Sequence, residues 1–327
     1  MKRAAILCYT SRGEETARKI ADALREDYAV GLHRGKCRMD ELFSTVDALV
    51  FVGACGIAVR AIAPHIRSKA TDPAVIVADE LGKHAISLLS GHIGGANALA
   101  RRIASAIGAE PVITTATDVN RRFAADEWAA RNGLEIASMQ AARKFAAEIL
   151  KRDLPLKCDF PIRGELPGGL FPGEGGGCGL LISCREDKPF DLTLHLIPRI
   201  LHIGIGCKRG TPAEKIRAAA DIALRGISRR AIASAASIDV KADEAGLLAF
   251  CAEEKLPIRF YSAEELRAVE GDFSASAFVQ GAVGVDNVCE RAAMLDAGGG
   301  ASLIIRKTCA GGVTIALAQE KWSACFE

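Results

Sequence analysis

Leu88-Leu-Ser-Gly-His-Ile-Gly-Gly-Ala-Asn97 joins a strand end, a glycine-rich turn and a helix start. Ala85-Ile-Ser-Leu-Leu89 has the composition of a strand. Downstream, Ala, Leu and Ile recur at helical spacing from about Gly95 to Ile107, which predicts one buried face. Gly91, Gly94 and Gly95 let the backbone turn tightly and approach a ligand closely. A helix start offers unpaired amides and a positive dipole end, so the turn is expected to receive an anionic group beside His92. The same dipole disfavours imidazolium, so His92 is expected to be neutral and to act as a base near neutral pH.

Upstream, Ala4 to Tyr9 predicts a strand, and Ser11 with Glu14 has the spacing of a capping box opening a helix to about Arg25. Ala48-Leu-Val-Phe-Val52 is continuously apolar, as a strand covered on both faces must be. Gly53-Ala-Cys-Gly56 then turns into a short helix that Pro64 stops. Ala74 to Ala78 and His84 to Leu89 flank Asp79-Glu-Leu-Gly-Lys83, a hairpin pattern, and Pro111-Val-Ile-Thr-Thr115 predicts one more strand. Strands alternating with helices imply a mostly parallel sheet wrapped on both faces. Such sheets bind ligands beyond the carboxyl ends of their strands, where Gly53–Gly56, Ser90–Gly95 and Thr114–Asp118 all fall. Glu80, in the hairpin loop preceding the His92 strand, is the second candidate for proton transfer.

Asp126 to Arg152 is Ala-rich and charged and predicts one or two helices. Leu154 to Pro198 is rich in Gly and Pro, with strand candidates at Leu180–Ser183 and Leu192–Ile197, and reads as a small middle region or an elaborate linker. A second alternating unit starts with Leu201-His-Ile-Gly-Ile-Gly-Cys-Lys-Arg-Gly-Thr211, a strand and glycine loop before a helix opened by Thr211, Pro212 and Glu214. Ile232–Ile238, Glu244–Glu254 and Pro257–Tyr261 continue it, Ser262 and Glu265 form another capping box, and Leu303–Arg306 and Val313–Ala318 close it. The fold class is therefore α/β: an N-terminal mostly parallel sheet flanked by helices over residues 1–120, a small Gly/Pro-rich middle region over 121–198, and a second C-terminal α/β domain over 199–327.

Half of the residues are hydrophobic and a quarter are charged, the balance of a soluble globular chain. A net charge of +2 leaves no bulk field for nucleic acid, and no apolar run is long enough to span a bilayer. The start carries no signal-peptide pattern, and the eleven cysteines include no C-x-x-C pair, so reduced thiols in the cytoplasm are expected. Cys178, Cys184, His195, His202 and Cys207 lack the paired spacing of a zinc site, and no metal is expected. Gly204 to Gly210 is one residue too long for the dinucleotide fingerprint, although Lys208 and Arg209 suit a carboxylate or phosphate.

Four blocks of the N-terminal half, Gly56-Ile-Ala-Val-Arg-Ala-Ile-Ala-Pro64, Asp72-Pro-Ala-Val75, Ile86 to Asn97 and Pro111 to Asp118, resemble the cobalamin-biosynthesis CbiG family. Gly204 to Thr211, Ser237-Ile-Asp-Val-Lys-Ala-Asp-Glu-Ala-Gly-Leu247 and Phe260 to Leu266 resemble its C-terminal domain, which also occurs as a separate small protein. The resemblance implies a cobalt-precorrin 5A hydrolase of the anaerobic corrin pathway, which opens a δ-lactone on a cobalt-bearing tetrapyrrole and releases acetaldehyde. It implies no cofactor, because the cobalt belongs to the substrate. His92 and Glu80 are then the candidate catalytic residues. Gly53, Gly56, Arg60, Lys83, Gly91, Gly94, Gly95, Asn97, Thr114, Thr115, Lys208 and Arg209 are the candidates for holding the carboxylate-rimmed ring. A non-catalytic carrier serving other corrin-pathway enzymes and a dinucleotide-dependent reductase stay open as alternatives.

Overall fold

Ile6, Leu7, Val50, Phe51, Ile76 and Val77 are all buried, as continuous apolar strands must be when helices cover both faces of their sheet. The computed structural model describes residues 1–68 and 71–326. It divides into two compact units, Met1–Arg131 with Ile149–Arg152, and Asn132–Glu148 with Asp153 onward.

The first unit runs β1 (Lys2–Cys8), α1 (Ser11–Leu24), β2 (Tyr28–Arg34), α2 (Met39–Thr45), β3 (Ala48–Val52) and α3 (Cys55–Ile62). It continues through β4 (Ala74–Ala78), β5 (His84–Leu89), α4 (Ala96–Ile107), β6 (Glu110–Val112), α5 (Ala116–Val119) and α6 (Ala125–Arg131). Six strands pair in the order β2-β1-β3-β4-β5-β6, so the expected sheet is present. Alternation along the strands sorts the core into two layers. Ile6, Val50 and Ile76 pack with Ile20 and Ile103, while Leu7, Phe51 and Val77 pack with Phe43 and Ile62.

All neighbours run parallel except β4 and β5, whose antiparallel pairing confirms the hairpin. Asp79 holds its tip, the carboxylate accepting from the amides of Leu81, Lys83 and His84. The hairpin also corrects the expected convergence of turns. The carboxyl ends of β1, β3 and β4 share one rim, where the Gly53 amide donates to the Ala78 carbonyl. Leu89, ending β5, pairs with Val75, beginning β4, so Ser90–Gly95 emerges at the opposite rim.

The second unit begins with β7 (Leu134–Ile136), α7 (Met139–Ile149), β8 (Leu154–Cys158), β9 (Ile162–Arg163), β10 (Leu170–Pro172), β11 (Cys178–Ile182) and β12 (Leu192–Pro198). Its middle part is thus no linker: five strands pair as β10-β8-β11-β12-β7. Then follow β13 (Leu201–Cys207), α8 (Ala213–Ala223), β14 (Ile232–Ile238), α9 (Ala245–Glu253), β15 (Ile258–Tyr261) and α10 (Ala263–Ala268). The last elements are α11 (Ala277–Val283), α12 (Val288–Ala297), β16 (Ser302–Ala310), β17 (Val313–Gln319) and β18 (Ala324–Cys325). A third sheet has the order β15-β14-β13-β17-β16, and β18 pairs with β9.

Two helix starts differ from expectation by one residue. Thr10, not Ser11, caps α1 by accepting from the Gly13 amide, and Glu14 turns instead to Arg18 and Arg34. Pro212 occupies the cap of α8 without a side-chain bond, while the Thr211 hydroxyl donates back to the Lys208 carbonyl. The Ser262–Glu265 capping box is present in full. No helix among the described residues is long and apolar enough to cross a membrane.

Candidate active site

Asn97 is the rivet of the His92 rim. It is fully buried, accepts from the Ser87 hydroxyl on β5 at 2.7 Å, and donates to Thr115 Oγ1 and Asp118 Oδ2, each at 3.0 Å. A Cβ on Gly91 would stand 2.8 Å from Asn97 Oδ1, and one on Gly94 would stand 2.4 Å from Ser90 Cβ. Gly95 caps α4 with φ +80°. Packing within the turn therefore requires Gly91 and Gly94, and the left-handed backbone favours glycine at 95, before any ligand is considered.

The turn also uses the amides that were expected to be open. Those of Gly95, Ala96 and Asn97 donate to the carbonyls of His92, Ser90 and Gly91. The amides of His92, Ile93 and Gly94 have no protein acceptor among the described residues. Any oxyanion contact from this turn falls to the loop amides rather than to those of Gly95, Ala96 and Asn97.

Around His92 the chain assembles carboxylates. Nδ1 lies 3.2 Å from Asp126 Oδ1 at the start of α6, and Nε2 lies 3.3 Å from Asp118 Oδ2 and 3.2 Å from Thr117 Oγ1. The imidazole is 19% exposed. The Asp126 hydrogen bond raises its pKa, against burial that would lower it, and Asp118 and Glu127 add to the rise. The shift runs opposite to the one expected from a helix start: two carboxylates in contact outweigh the partial charge of a helix end.

Asp118 is held as an anion. Burial alone would raise its pKa, but the Thr115 hydroxyl at 2.5 Å, the Arg101 guanidinium and His92 together lower it. Glu127 behaves in the opposite way, its pKa raised by burial and by the neighbouring Asp118 despite the pull of His92. The rim thus holds a proton-retaining imidazole, a fixed carboxylate and a carboxyl biased toward protonation, an acid–base set. Ligand atoms of His92, Asp118 and Glu127 lie within 4.8 Å of one another, close enough for a metal ion. A cation there would have to compete with Arg101 for Asp118 and with protonation of His92, which its carboxylate neighbours favour.

Glu80 is not brought to His92. It sits in the hairpin tip at the other end of β5, six residues of strand away, or roughly 20 Å at about 3.3 Å per residue. Its carbonyl accepts from Thr16 Oγ1. Gly53, Gly56, Arg60 and Lys83 share that opposite rim or the helix leaving it, and Arg60 Nη1 donates to the Gly56 carbonyl. Gly91, Gly94, Gly95, Asn97 and Thr115 gather with His92, and Thr114 is exposed beside them. Lys208 and Arg209 are exposed in the second unit, where Arg209 pairs with Asp243. Asp126 and Glu127 escaped the sequence reading because an acidic pair in a helix's first turn is ordinary; Asp118 lay inside a quoted motif without a role.

The second unit's glycines have packing roles. A Cβ on Gly204 would stand 1.8 Å from the Cys289 carbonyl of α12, and one on Gly206 would stand 2.5 Å from Thr314 Oγ1. Close docking of α12 on β13 accounts for Gly204, and the β17 neighbour for Gly206, without a dinucleotide. A buried network, unforeseen, lies on that face: His202 Nδ1 is 2.7 Å from Asp296 Oδ2, Nε2 is 2.7 Å from Glu320 Oε1, and Tyr261 Oη donates to Asp296 at 2.8 Å. Ser234 Oγ donates to the same carboxylate.

Residues 38–118 match the family Cobalamin synthesis G N-terminal, and residues 201–318 match Cobalamin synthesis G C-terminus. The chain is 36% identical to the cobalt-precorrin-5A hydrolase of Salmonella typhimurium, covering 89% of this chain and 91% of that protein. It is 28% identical to the cobalt-precorrin-5A hydrolase of Priestia megaterium, over 96% and 94%. Protein CobE of Sinorhizobium is 36% identical over 36% of this chain and 79% of its own length. With both halves matched in order and a relative of this identity spanning nearly its whole length, the chain belongs to the CbiG family of cobalamin-synthesis proteins.

Proposed function

We propose that this chain is a cobalt-precorrin-5A hydrolase, opening the lactone of a cobalt-bearing tetrapyrrole and releasing its two-carbon fragment as acetaldehyde. The observation that carries the reading is His92 held between Asp126 and Asp118 with Glu127 beside it, in a chain whose relatives bear that name. In this reading Glu127, when ionised, takes a proton from water as its oxygen attacks the lactone carbonyl. The loop amides of His92, Ile93 and Gly94 receive the developing oxyanion. The ester C–O bond then breaks, and the His92 imidazolium gives its proton to the departing alkoxide. Neutral His92 next withdraws the proton of that new hydroxyl. The carbon–carbon bond breaks, its electron pair stays with the ring, and acetaldehyde leaves.

Asp118 and Asp126 act through His92, holding its orientation and its charge. No resident metal or redox cofactor enters this scheme; the cobalt arrives with the substrate. The cytoplasm is the compartment the reading implies. Incubating purified protein with cobalt-precorrin-5A and assaying acetaldehyde tests it. Multiple turnovers support the hydrolase, whereas tight binding without turnover would make the chain a carrier.

A further inference from the structure

The second unit contains a cleft of about 320 Å³. One wall is Glu135 on β7, and the others come from segments that lead into the strands of the third sheet. Arg199 precedes β13, Arg229 and Arg230 precede β14, and Lys255 lies between α9 and β15. The apolar part of the lining includes Ile203 and Phe250, both buried, and Leu256.

The charges of this cleft do not cancel. Arg229 is neutralised by Glu254, at 2.8 Å, and by Asp221. Arg230 Nη1 donates to the carbonyls of Ile136 and Ala137 at 3.2 and 3.0 Å, and Arg199 Nη2 donates to the Ile232 carbonyl at 3.3 Å. Those bonds orient the guanidinium groups and leave their charge. Arg199, Arg230 and Lys255 have no ion-pair partner among the described residues, and Glu135 is the one unpaired carboxylate in the lining.

Lys255 carries an independent sign. Its φ is +55°, in the left-handed region that ends a helix most cheaply with glycine. The Leu256 amide closes α9 onto the Cys251 carbonyl at 2.8 Å, the bond that requires this turn. A lysine therefore occupies a strained position in the lining of a cationic cleft, where a glycine would cap the helix equally well.

We propose that this cleft binds a carboxylate-bearing anion with an apolar body, the carboxylate held by Arg199, Arg230 and Lys255 and the body resting on Phe250 and Leu256. The volume admits a small acid or one edge of a larger molecule. A free dicarboxylate and a carboxylate arm of a tetrapyrrole present the same chemistry. The site needs only the anion, so it stands or falls apart from the hydrolase reading.

Calorimetric titration of the full-length protein with glutarate, and separately with uroporphyrin III, tests this. Saturable binding that weakens with salt is expected for at least one probe, and about tenfold or greater loss of affinity in Arg199→Ala and Lys255→Gly. Arg225→Ala, exposed and outside the cleft, should bind like the parent. Lys255→Gly should also raise Tm by about 1–3 °C as the left-handed strain is relieved, so its lost affinity cannot be unfolding. Glutarate binding identifies free small acids; uroporphyrin binding alone identifies arms of a macrocycle. No saturable binding of either probe, or parent affinity in both cleft variants, overturns the proposal.

Discussion

His92 Nδ1 lies 3.2 Å from Asp126 Oδ1, and this contact sets the charge of the candidate acid. Because the pair raises the histidine pKa, its stabilisation is complete below the unfolded value of about 6.5 and is lost as pH rises through the folded value. Imidazolium chemistry should decline over the same alkaline limb. Asp126→Asn should move that limb of kcat/KM to lower pH, with the His92 ring protons titrating in step by NMR. His92→Asn should cost about a hundredfold or more in acetaldehyde release. Undiminished turnover would remove His92 from the mechanism.

Asn97 should matter for folding as well as activity. Its side chain satisfies Ser87, Thr115 and Asp118 in a fully buried place, so Asn97→Ala strands several polar groups at once. A loss of about 2–3 kcal/mol is expected in urea unfolding. Asn97→Asp should be worse than alanine, because it sets a second carboxylate against Asp118.

Adjacent glycines of one turn should respond differently. Gly94→Ala drives a methyl into Ser90, 2.4 Å from Cβ and 2.8 Å from the carbonyl oxygen, and should cost about 3 kcal/mol or more. Gly95→Ala meets nothing within 4 Å and suffers only its left-handed φ, about 1 kcal/mol. Paired thermal denaturation curves check the order.

The buried carboxylate of Asp296 should govern acid stability in the second unit. Burial pushes its pKa up, yet His202, Ser234 and Tyr261 bring it down to about 2. Its contribution is full above the unfolded value near 3.9 and fades as pH falls through about 2. His202 is shifted the other way, raised by Asp296 and Glu320 against the burial that lowers it, so its share is lost as pH climbs through its folded value. Asp296→Asn should cost about 3 kcal/mol at neutral pH and flatten stability between pH of about 2 and 4. Chemical denaturation across that range measures both effects.

Sheet and hairpin were legible because Val, Ile and Phe runs bounded by Gly, Pro and Asp have few other solutions. The hairpin already implied that the carboxyl ends of β4 and β5 point opposite ways. Gathering Glu80 with His92 ignored that implication, and the structure separates them. The charge of His92 was not legible, since it depends on Asp126, thirty-four residues downstream and brought back by α6 (126 − 92 = 34). In the middle sheet β11 and β12 were legible as apolar runs, whereas β7 is only Leu134–Ile136, too short for a periodic signal. The Gly204–Gly210 loop, already one residue too long for a dinucleotide fingerprint, owes its glycines to three different local needs: Gly204 lies against α12, Gly206 faces Thr314 on β17, and Gly210 turns at φ +74°.

The reversal at β5 also offers a practical handle. Leu81, at the tip of the Asp79–Lys83 turn, is exposed and a full strand length from His92. A fluorophore or biotin tether coupled there would leave the acid–base rim chemically intact, so ligand capture could be followed optically without labelling the groups that perform the reaction.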